Sequence, residues 1–365
     1  MLNILHIITA PCGGGAEVLV RELVSRMNDS DVQSSALYFN INSPCAKNLT
    51  LEPNEFSLNV GFRDPKAILL LRDFIKKQLE MHDNLIVHVH LIWPMLFVSL
   101  AVIGLPVKLV YTEHATSNSR RKYPLLRYIE RLFYRRFERV VCISMGTKVA
   151  LDQWLGSKLA PKNEVIFNGS RLYSVKARSC PNNIVNFISI GSLVGHKGFD
   201  RTIRSLAKWR NKDWQYLIVG EGAERHNLET LIATFELSDK IKLIGWSDQI
   251  EHHLHTADMQ LVPSHYEGFG LAAVEGMSTG LPIIAANVSG LNEVLAKASQ
   301  AGFLVDNPDS DCEWLHAIEL GLKALQQNTQ QVAHDARSNA EQFSLDIMTR
   351  NYKKLYQFLS SNNEN

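Results

Sequence analysis

The sequence predicts an α/β protein built from two doubly wound parallel-sheet domains. Short apolar runs alternate with amphipathic segments along most of the chain, glycine-rich turns follow several of these runs, and one polar stretch interrupts the alternation. Near-continuous apolar runs are typical of parallel strands that helices cover on both faces. A length of 365 residues also favours two domains of ordinary size over one.

The first domain is predicted to begin with a strand at Asn3–Ile8, a glycine turn and an amphipathic helix at Ala16–Met27. The segment from Ser170 to Asn183 is polar and has no periodicity, so we place the interdomain linker there. The predicted domains are therefore residues 1–170 and residues 171–343. Residues 344–365 are expected to form a C-terminal helix that packs back on the first domain.

The second domain repeats the style of the first, from a strand at Val185–Gly191 to an amphipathic helix at Cys312–Leu325. The tail from Gln330 to Leu359 is also predicted to be helical. Ligands of open α/β sheets bind outside the carboxyl ends of the strands. We therefore expect the two domains to face each other across a central cleft.

Composition excludes several classes of protein. The net charge of +1 excludes a strongly basic nucleic-acid binder, although residues 1–170 hold 20 Lys and Arg against 15 Asp and Glu. This excess suggests an acidic surface or substrate on that side. Five scattered cysteines predict neither a zinc site nor a disulfide framework, and they favour a reducing compartment. We see no signal peptide, and prolines and a glycine interrupt the apolar stretch Leu91–Leu109, which argues against a membrane span.

The most informative stretch is Pro263–Glu275, which follows a short apolar run and opens a helix. Glu267 and Glu275 bracket a glycine-rich turn, and Gly268 and Gly270 allow a ligand to approach the backbone closely. The first turn of the helix then presents unpaired N–H groups. This arrangement suits an anion together with a polyol.

A second glycine-rich turn, Gly191–Gly198, lies between the first strand and the first helix of the second domain. Its lysine, Lys197, can hold a diphosphate, because a charge pair at 4 Å contributes about 4 kcal/mol at an effective dielectric constant of 20. A helix terminus contributes about 0.3–1 kcal/mol. The alternative is a tight turn with a solvated lysine. The next strand ends in Gly220-Glu221-Gly222, which is either a second close approach to a ligand or a plain turn.

Together these motifs resemble family 4 of the retaining, nucleotide-sugar-dependent glycosyltransferases, whose two-domain architecture is called GT-B. The resemblance covers nearly the whole chain. It includes the N-terminal glycine loop at Gly13–Glu17, Asn168-Gly169 before the linker, and Gly280-Leu281-Pro282 followed by Ser289–Glu293. The motifs are specific for fold and reaction class and weak for the sugars.

The resemblance implies roles for individual residues. Glu275 would bind the ribose hydroxyls of the nucleotide and Glu267 would hold hydroxyls of the donor sugar. Lys197 would offset charge on the leaving diphosphate, so Lys197, Glu267 and His114 are the expected catalytic set. Gly14 and Gly15 would form an acceptor or phosphate loop. The remaining donor-binding residues would be Gly191, Ser192, Gly220, Glu221, Gly222, Phe269, Gly270 and Leu271, the last three through backbone N–H groups.

Four further features bear on this assignment. The family usually has arginine where this chain has Ser192, so one of two phosphate-binding charges is missing, and His196 is a candidate to assist. His114 ends a first-domain strand and resembles the family's histidine near the donor sugar, although a structural role is equally compatible. His88 and His90 are interpreted as structural. We expect no metal and no cofactor, because the Asp-Ser-Asp motifs at 29–31 and 309–311 fit a helix end and a helix N-cap.

The segment from Arg120 to Phe137 is basic, amphipathic and rich in aromatic residues. It suits an anionic membrane surface, and the alternative is a domain helix with an apolar core face and a solvated charged face. The predicted membrane contacts are Arg127, Arg131, Arg135 and Arg136. We accordingly expect a cytoplasmic protein that associates peripherally with the inner membrane.

The sequence thus predicts a metal-independent, retaining glycosyltransferase of surface-polysaccharide or O-antigen assembly. The expected donor is a UDP-linked hexose or N-acetylhexosamine, with N-acetylgalactosamine as the narrower prediction. The expected acceptor is a saccharide linked to polyprenyl diphosphate. The alternatives are a transferase with a soluble acceptor, a sugar-nucleotide epimerase, and a non-catalytic protein that binds sugar nucleotides.

Overall fold

A computed structural model of the chain describes residues 1–41, 49–116, 118–180, 184–210 and 213–361. The chain divides into two compact units. Unit 1 comprises Met1–Gly169 and Leu345–Asn365, and unit 2 comprises Ser170–Ser344. Each unit contains one fully parallel sheet with helices between its strands, so the prediction of two doubly wound α/β domains is confirmed.

Unit 1 alternates strands and helices from its first residues. Its elements are β1 (Leu2–Ile8), α1 (Gly15–Met27), β2 (Val32–Tyr38), β3 (Glu55–Ser57), α2 (Lys66–Met81), β4 (Leu85–His90), α3 (Ile92–Ala101), β5 (Lys108–Glu113), α4 (Leu126–Tyr134), β6 (Arg139–Cys142), α5 (Met145–Leu155), β7 (Asn163–Val165) and, from the C-terminus, α12 (Leu345–Ser361).

The strands of unit 1 lie in the order β3-β2-β1-β4-β5-β6-β7. The strand order reverses between β1 and β4, which is where open α/β sheets bind ligands. β1 is buried at every position because helices cover both faces of the sheet. On one face, α12 packs Met348, Tyr352 and Tyr356 into a core with residues of β1.

Unit 2 has the same design. Its elements are β8 (Ile184–Ile190), α6 (Phe199–Ala207), β9 (Asp213–Val219), α7 (Arg225–Thr234), β10 (Ile241–Gly245), α8 (Ile250–Thr256), β11 (Met259–Val262), α9 (Leu271–Ser278), β12 (Ile283–Ala286), α10 (Leu291–Leu295), β13 (Gly302–Val305) and α11 (Asp311–Glu341). The strand order is β10-β9-β8-β11-β12-β13, so the reversal falls between β8 and β11.

The structure differs from the predicted elements in several details. Three short elements were not predicted: β3, β7 and α10, which have three to five residues each and too little periodicity to detect. The predicted tail helix, Gln330–Leu359, is divided between α11 and α12. The break has a backbone cause, since Ser170 N–H donates to the carbonyl of Phe343 at 2.8 Å and Ser170 bridges Ser344.

Two further findings concern the cysteines and the membrane. Cys12 is disulfide-bonded, which was not expected from the sequence, whereas Cys142, Cys180 and Cys312 are not in disulfides. Cys45 lies outside the described residues. Within the described ranges, the helices are all too short or too polar to cross a bilayer.

Candidate active site

The loop after β8 is held against the loop after β11, its neighbour in the sheet. Gly198 lies in the left-handed region at φ 66°, and a side chain there would overlap the carbonyl oxygen of Pro263. Only glycine permits this approach. Between the same loops, His265 N–H donates to the carbonyl of His196 at 2.8 Å.

This approach brings together two side chains that the sequence analysis placed in separate motifs. Lys197 Nζ lies 2.7 Å from Glu267 Oε2, and Ser264 Oγ donates to the same carboxylate oxygen at 3.1 Å. Both charged side chains keep limited solvent access, at 22% and 17% of their surface. A lysine ammonium and a carboxylate therefore stand side by side where the strand order of unit 2 reverses.

The predicted glycines of the β8 and β9 loops have a structural use. A side chain at Gly220 would overlap the carbonyl oxygen of Gly191, and one at Gly222 would overlap that of Leu193. These glycines let one backbone approach the other, as in the plain-turn alternative for Gly220-Glu221-Gly222, and their contact with the donor stays a prediction. Glu221 is paired with Arg225 at 2.9 Å and stays half exposed. Ser192, in the loop after β8, is exposed.

The turn that opens α9 presents backbone rather than side chains. The Phe269 ring is buried and meets Phe343 edge-on at 5.4 Å between ring centroids. Gly270, at φ 106°, is the N-cap of α9 and makes no side-chain cap hydrogen bond. A side chain at Gly290 would lie 3.0 Å from the backbone of Phe269. These contacts of Phe269 hold the turn before α9 in place. The N-terminus of α9, at Leu271, can therefore donate backbone N–H groups to an anion.

Glu275 lies about one turn further along α9. Burial raises the pKa of its carboxyl to about 7, and the nearby positive charge of Arg171 opposes this shift. Burial, followed by the charge of Glu275, raises the pKa of Tyr173 to about 12. The sequence analysis missed Arg171 and Tyr173, because they lie in the linker, about a hundred residues before α9.

In unit 1, the loop after β1 leads into α1. Gly14 is the N-cap of α1 without a side-chain cap, and Gly14 and Gly15 are exposed. A side chain at Gly14 would meet only the Glu17 carboxylate, to which Thr9 donates a hydrogen bond at 3.2 Å. Burial raises the pKa of Glu17. This loop is open to a ligand at the reversal point of the unit 1 sheet.

His114 follows β5 in unit 1 and belongs to a cluster of four histidines. Its Nε2 lies 3.2 Å from Nδ1 of His90, and Nε2 of His90 lies 3.1 Å from Nδ1 of His6. Burial lowers the pKa of His114 to about 4 and that of His6 to about 3. His114 is therefore a neutral imidazole at pH 7. His114 was predicted from the sequence as a site residue, whereas its hydrogen-bonded link through His90 to His6 was not predicted.

The arginines predicted to contact a membrane have other partners. Arg131 Nε donates to the carbonyl of Leu155 at 2.5 Å and Arg127 donates to Gln153 at 3.4 Å, so both arginines bind the last turn of α5. Arg136 donates to the carbonyl of Ser99 at 2.7 Å. Arg135 is exposed.

The outward face of α4 and of the residues before it is apolar instead. Tyr123, Leu125, Tyr128, Ile129 and Leu132 are each more than half exposed. The inward face carries Glu130, which binds Arg120 and the indole N–H of Trp154 at 2.5 and 2.7 Å. The outward surface of this segment is therefore mixed, because Arg135 and Arg136 are exposed beside these apolar side chains, whereas Tyr134 and Phe137 are buried in the core of unit 1. Membrane contact through this segment stays a prediction.

Two doubly wound parallel-sheet units are the architecture of the GT-B glycosyltransferases. The family model for "Glycosyl transferases group 1" matches residues 181–342, and that for "Glycosyltransferase Family 4" matches residues 13–171. Between them the two models span most of the chain. We therefore assign the chain to the family 4 glycosyltransferases.

Relatives and solved structures agree with this assignment. The chain is 26% identical over 291 residues to an uncharacterised glycosyltransferase of Haemophilus influenzae, covering 78% of both chains. It is 28% identical to the O-antigen biosynthesis glycosyltransferase WclY of Escherichia coli, covering 42% of this chain and 44% of WclY. It is 37% identical to an E. coli UDP-Gal:alpha-D-GlcNAc-diphosphoundecaprenol alpha-1,3-galactosyltransferase, covering 27% of this chain and 26% of that enzyme. The structure of Anabaena HepE with UDP-glucose shares the fold, with a TM-score of 0.80, 20% identity and coverage of 99% of this chain and 100% of HepE.

Proposed function

We propose that the protein transfers a hexose or N-acetylhexosamine, most specifically N-acetylgalactosamine, from a UDP-sugar to a saccharide linked to polyprenyl diphosphate. The observation that carries the proposal is the Lys197–Glu267 pair at the reversal point of the unit 2 sheet. It combines a cation for a diphosphate with a carboxylate for sugar hydroxyls. A relative that uses UDP-galactose on a diphosphoundecaprenol-linked sugar supports a UDP-hexose donor and a lipid-linked acceptor.

The donor is proposed to bind to unit 2. Its diphosphate would contact Lys197 and the N–H groups at the start of α9, since phosphate binds readily at helix N-termini. Its sugar would place hydroxyls on Glu267. Its ribose would donate from two vicinal hydroxyls to Glu275, at about 1.5–3 kcal/mol for each charge-assisted hydrogen bond.

Ser192 gives the loop after β8 one charge fewer than the family pattern. His196 does not replace it as a second cation, because burial and the adjacent Lys197 lower its pKa. His196 stacks on Tyr266 at 4.8 Å between ring centroids, which supports the same loop contact instead. Lys197 therefore carries the cationic role in this loop.

The proposed reaction proceeds without a metal and with retention of configuration. The bond between the sugar anomeric carbon and the diphosphate oxygen breaks as the acceptor hydroxyl oxygen bonds to the same carbon from the same face. The acceptor proton passes to the departing diphosphate oxygen. Lys197 and the α9 N–H groups stabilise the charge that develops on the diphosphate. Neither glutamate forms a covalent bond with the sugar.

Unit 1 is proposed to bind the acceptor through the loop at Gly14 and Gly15. Relatives that assemble O-antigen support a role in polysaccharide synthesis. A polyprenyl-linked acceptor is held in a membrane, and the apolar outward face of α4 suits such a surface. We propose that Leu125, Tyr128 and Leu132 enter the interface and that the exposed Arg135 contacts anionic headgroups.

Transfer is tested with purified protein, a panel of nucleotide sugars and mass spectrometry of the product on a polyprenyl-diphosphate-linked saccharide. Lys197→Ala and Glu275→Ala are each expected to lower transfer at least about tenfold while circular dichroism stays unchanged. Lys208→Ala, which removes an exposed lysine paired with Asp311, is the matched control. Full activity of the Lys197 or Glu275 variant would refute the site, and nucleotide-sugar binding without product would refute the enzyme.

Membrane contact is tested by sedimentation with anionic liposomes. Leu132→Asp is expected to abolish binding and Arg135→Ser to weaken it, because apolar insertion and headgroup attraction both contribute. Trp246→Asp replaces an apolar side chain of unit 2 that is more exposed than Leu132, at 78% against 61%, and serves as the control. Unchanged sedimentation of the Leu132 variant would contradict the proposed membrane face.

A further inference from the structure

Four histidines meet at the strand reversal of the unit 1 sheet. His6 lies on β1, His88 and His90 lie on the adjacent strand β4, and His114 follows β5. His6, His88 and His90 are each at most 1% exposed. Their rings are in contact, with centroids 4.2 Å apart for His88 and His90 and 5.5 Å apart for His90 and His114.

Three of these rings form a chain of hydrogen bonds. Nδ1 of His6 is bonded to Nε2 of His90 at 3.1 Å, and Nδ1 of His90 is bonded to Nε2 of His114 at 3.2 Å. The two nitrogens of His90 are thus used by two different partners. His88 stands beside the chain, bonded to the hydroxyls of Tyr356 at 2.5 Å and Thr112 at 2.7 Å.

The chain has one direction. Burial lowers the pKa of each of its three members, so all three rings are neutral at pH 7. A neutral imidazole has one N–H donor and one acceptor nitrogen. If His6 donates to His90, then His90 must donate to His114, and the remaining proton of His114 must lie on Nδ1.

The inner end of the chain selects this direction. Nε2 of His6 is buried and has no hydrogen-bond partner among the described residues. With the chain reversed, this nitrogen would be a buried N–H without an acceptor, and such orphaned donors are rarer than unpaired acceptors. The direction from His6 through His90 to His114 leaves only an unpaired lone pair at the buried end.

We propose that His6 and His90 are positioning residues that fix His114 as the Nδ1–H tautomer. His114 then donates a hydrogen bond from Nδ1 to an oxygen of a bound saccharide, as a neutral donor rather than as an acid. This assignment of His114 to a saccharide rests on the proposed function. Its tautomer follows from the chain alone.

The backbone next to His90 supports a specialised role for this position. Leu91 has φ 65° and ψ 160°, and positive φ is unusual for a residue with a side chain. Such conformations cluster at functional sites, where the surrounding structure holds them in place. Leu91 directly follows His90 and begins the connection from β4 to α3.

A metal ion is the alternative occupant of this cluster. One nitrogen each from His6, His88 and His90 lies within 4.8 Å of the others. Both nitrogens of His88 are already bonded to hydroxyl groups, however, and the chain uses both nitrogens of His90. A metal would have to break these hydrogen bonds, so we favour the hydrogen-bonded chain.

The tautomer is measured by nitrogen NMR of the free protein with labelled histidine, and the His114 signal is identified by its loss in His114→Gln. The expected result is a proton on Nδ1 of His114. A proton on Nε2 of His114, or stoichiometric metal in the purified protein, would overturn the proposal. This measurement needs no substrate, the tautomer is read in the wild-type protein and His114→Gln serves only to assign the signal, so the result holds even if the proposed transfer reaction is wrong.

Variants at His90 test its positioning role. An asparagine amide N–H can replace Nδ1–H of histidine, so His90→Asn should keep the His114 tautomer, whereas His90→Leu should mix the two tautomers. Transfer should fall about threefold to tenfold in His90→Leu and recover in His90→Asn, with UDP-sugar affinity unchanged. His88→Gln, outside the chain, should leave the His114 tautomer intact. An unchanged His114 spectrum in folded His90→Leu would contradict the positioning role.

Discussion

The glycine loops that follow strands in the two units look alike in sequence and differ in use. In unit 2, the lack of a side chain at three glycines lets one backbone pack directly against another. Gly220 packs against Gly191, Gly222 against Leu193 and Gly198 against Pro263. In unit 1, Gly14 and Gly15 are exposed, and a side chain at Gly14 would meet only a flexible carboxylate. The unit 2 loops are therefore closely packed and the unit 1 loop is open.

This difference separates two reasons for a glycine next to a ligand site. A glycine in backbone contact protects the geometry of its loop, and its replacement should mainly cost stability. A glycine in open space leaves room for a ligand, and its replacement should mainly cost binding. Stability and binding measurements on matched variants distinguish the two cases.

The largest expected effect is that of Gly220→Ala. Gly220 has φ 148°, and an added methyl group would overlap the Gly191 carbonyl oxygen, so the loops must separate. We expect a loss of at least about 3 kcal/mol in the free energy of unfolding of unit 2, measured by denaturant titration. Gly195→Ala is the control, because a methyl group there meets open space. Equal stability of the two variants would remove the distinction between glycines in backbone contact and glycines in open space.

The next effect is expected at Glu275. Its folded-state pKa of about 7 lies above the ordinary glutamate pKa of 4.5, so the folded state binds the proton more tightly than the unfolded state. The resulting stabilisation is complete below pH 4.5 and is lost as the pH rises through about 7. The side chain of Glu275→Gln cannot ionise. Between pH 4.5 and pH 8, the free energy of unfolding of this variant should therefore rise relative to that of wild type by up to about 3 kcal/mol. Parallel pH–stability curves for the two proteins would contradict the raised pKa.

Sequence reasoning predicted much of unit 2's site because its parts are local. Lys197 and Glu267 each lie in a loop directly after a strand, and parallel strands deliver such loops to one edge of the sheet. The pair itself, at 2.7 Å, follows once β8 and β11 are neighbours. The backbone contacts of Gly220 and Gly222 could not be predicted, because a glycine in sequence does not show what approaches it.

Unit 1 was less predictable for physical reasons. The chain from His6 to His114 spans three strands, and each of its histidines alone resembles an ordinary core residue. The exposed apolar side chains of α4, such as Leu132, were missed because amphipathic periodicity shows that a helix has two faces but not how much of the apolar face is buried. The split of the tail into α11 and α12 depends on Ser170, whose backbone pairs with residues far along the chain.

A smaller effect is expected from the Lys197–Glu267 pair itself. Both side chains retain some solvent access, so the coupling between them should be only about 0.5–1.5 kcal/mol in the absence of a ligand. A double-mutant cycle with Lys197→Met and Glu267→Gln, followed by denaturant unfolding, measures this coupling. A coupling of zero would mean that the pair contributes to binding alone, and one above about 3 kcal/mol would show that its packing resembles that of a buried pair.

The smallest change in stability is expected for Gly14→Ala. Gly14 has φ −149° and ψ 173°, an extended conformation open to any residue, and the Glu17 side chain can move away from an added methyl group. We expect the free energy of unfolding to fall by about 1 kcal/mol, which is the cost of the poorer N-cap, because alanine ranks well below glycine at this position. If the loop contacts the acceptor, the KM for a lipid-linked saccharide should rise in the same variant while the KM for the nucleotide sugar does not. A large loss of stability with unchanged KM values would show that Gly14 supports the fold, as the packed glycines of unit 2 do. That result would contradict an open ligand loop in unit 1.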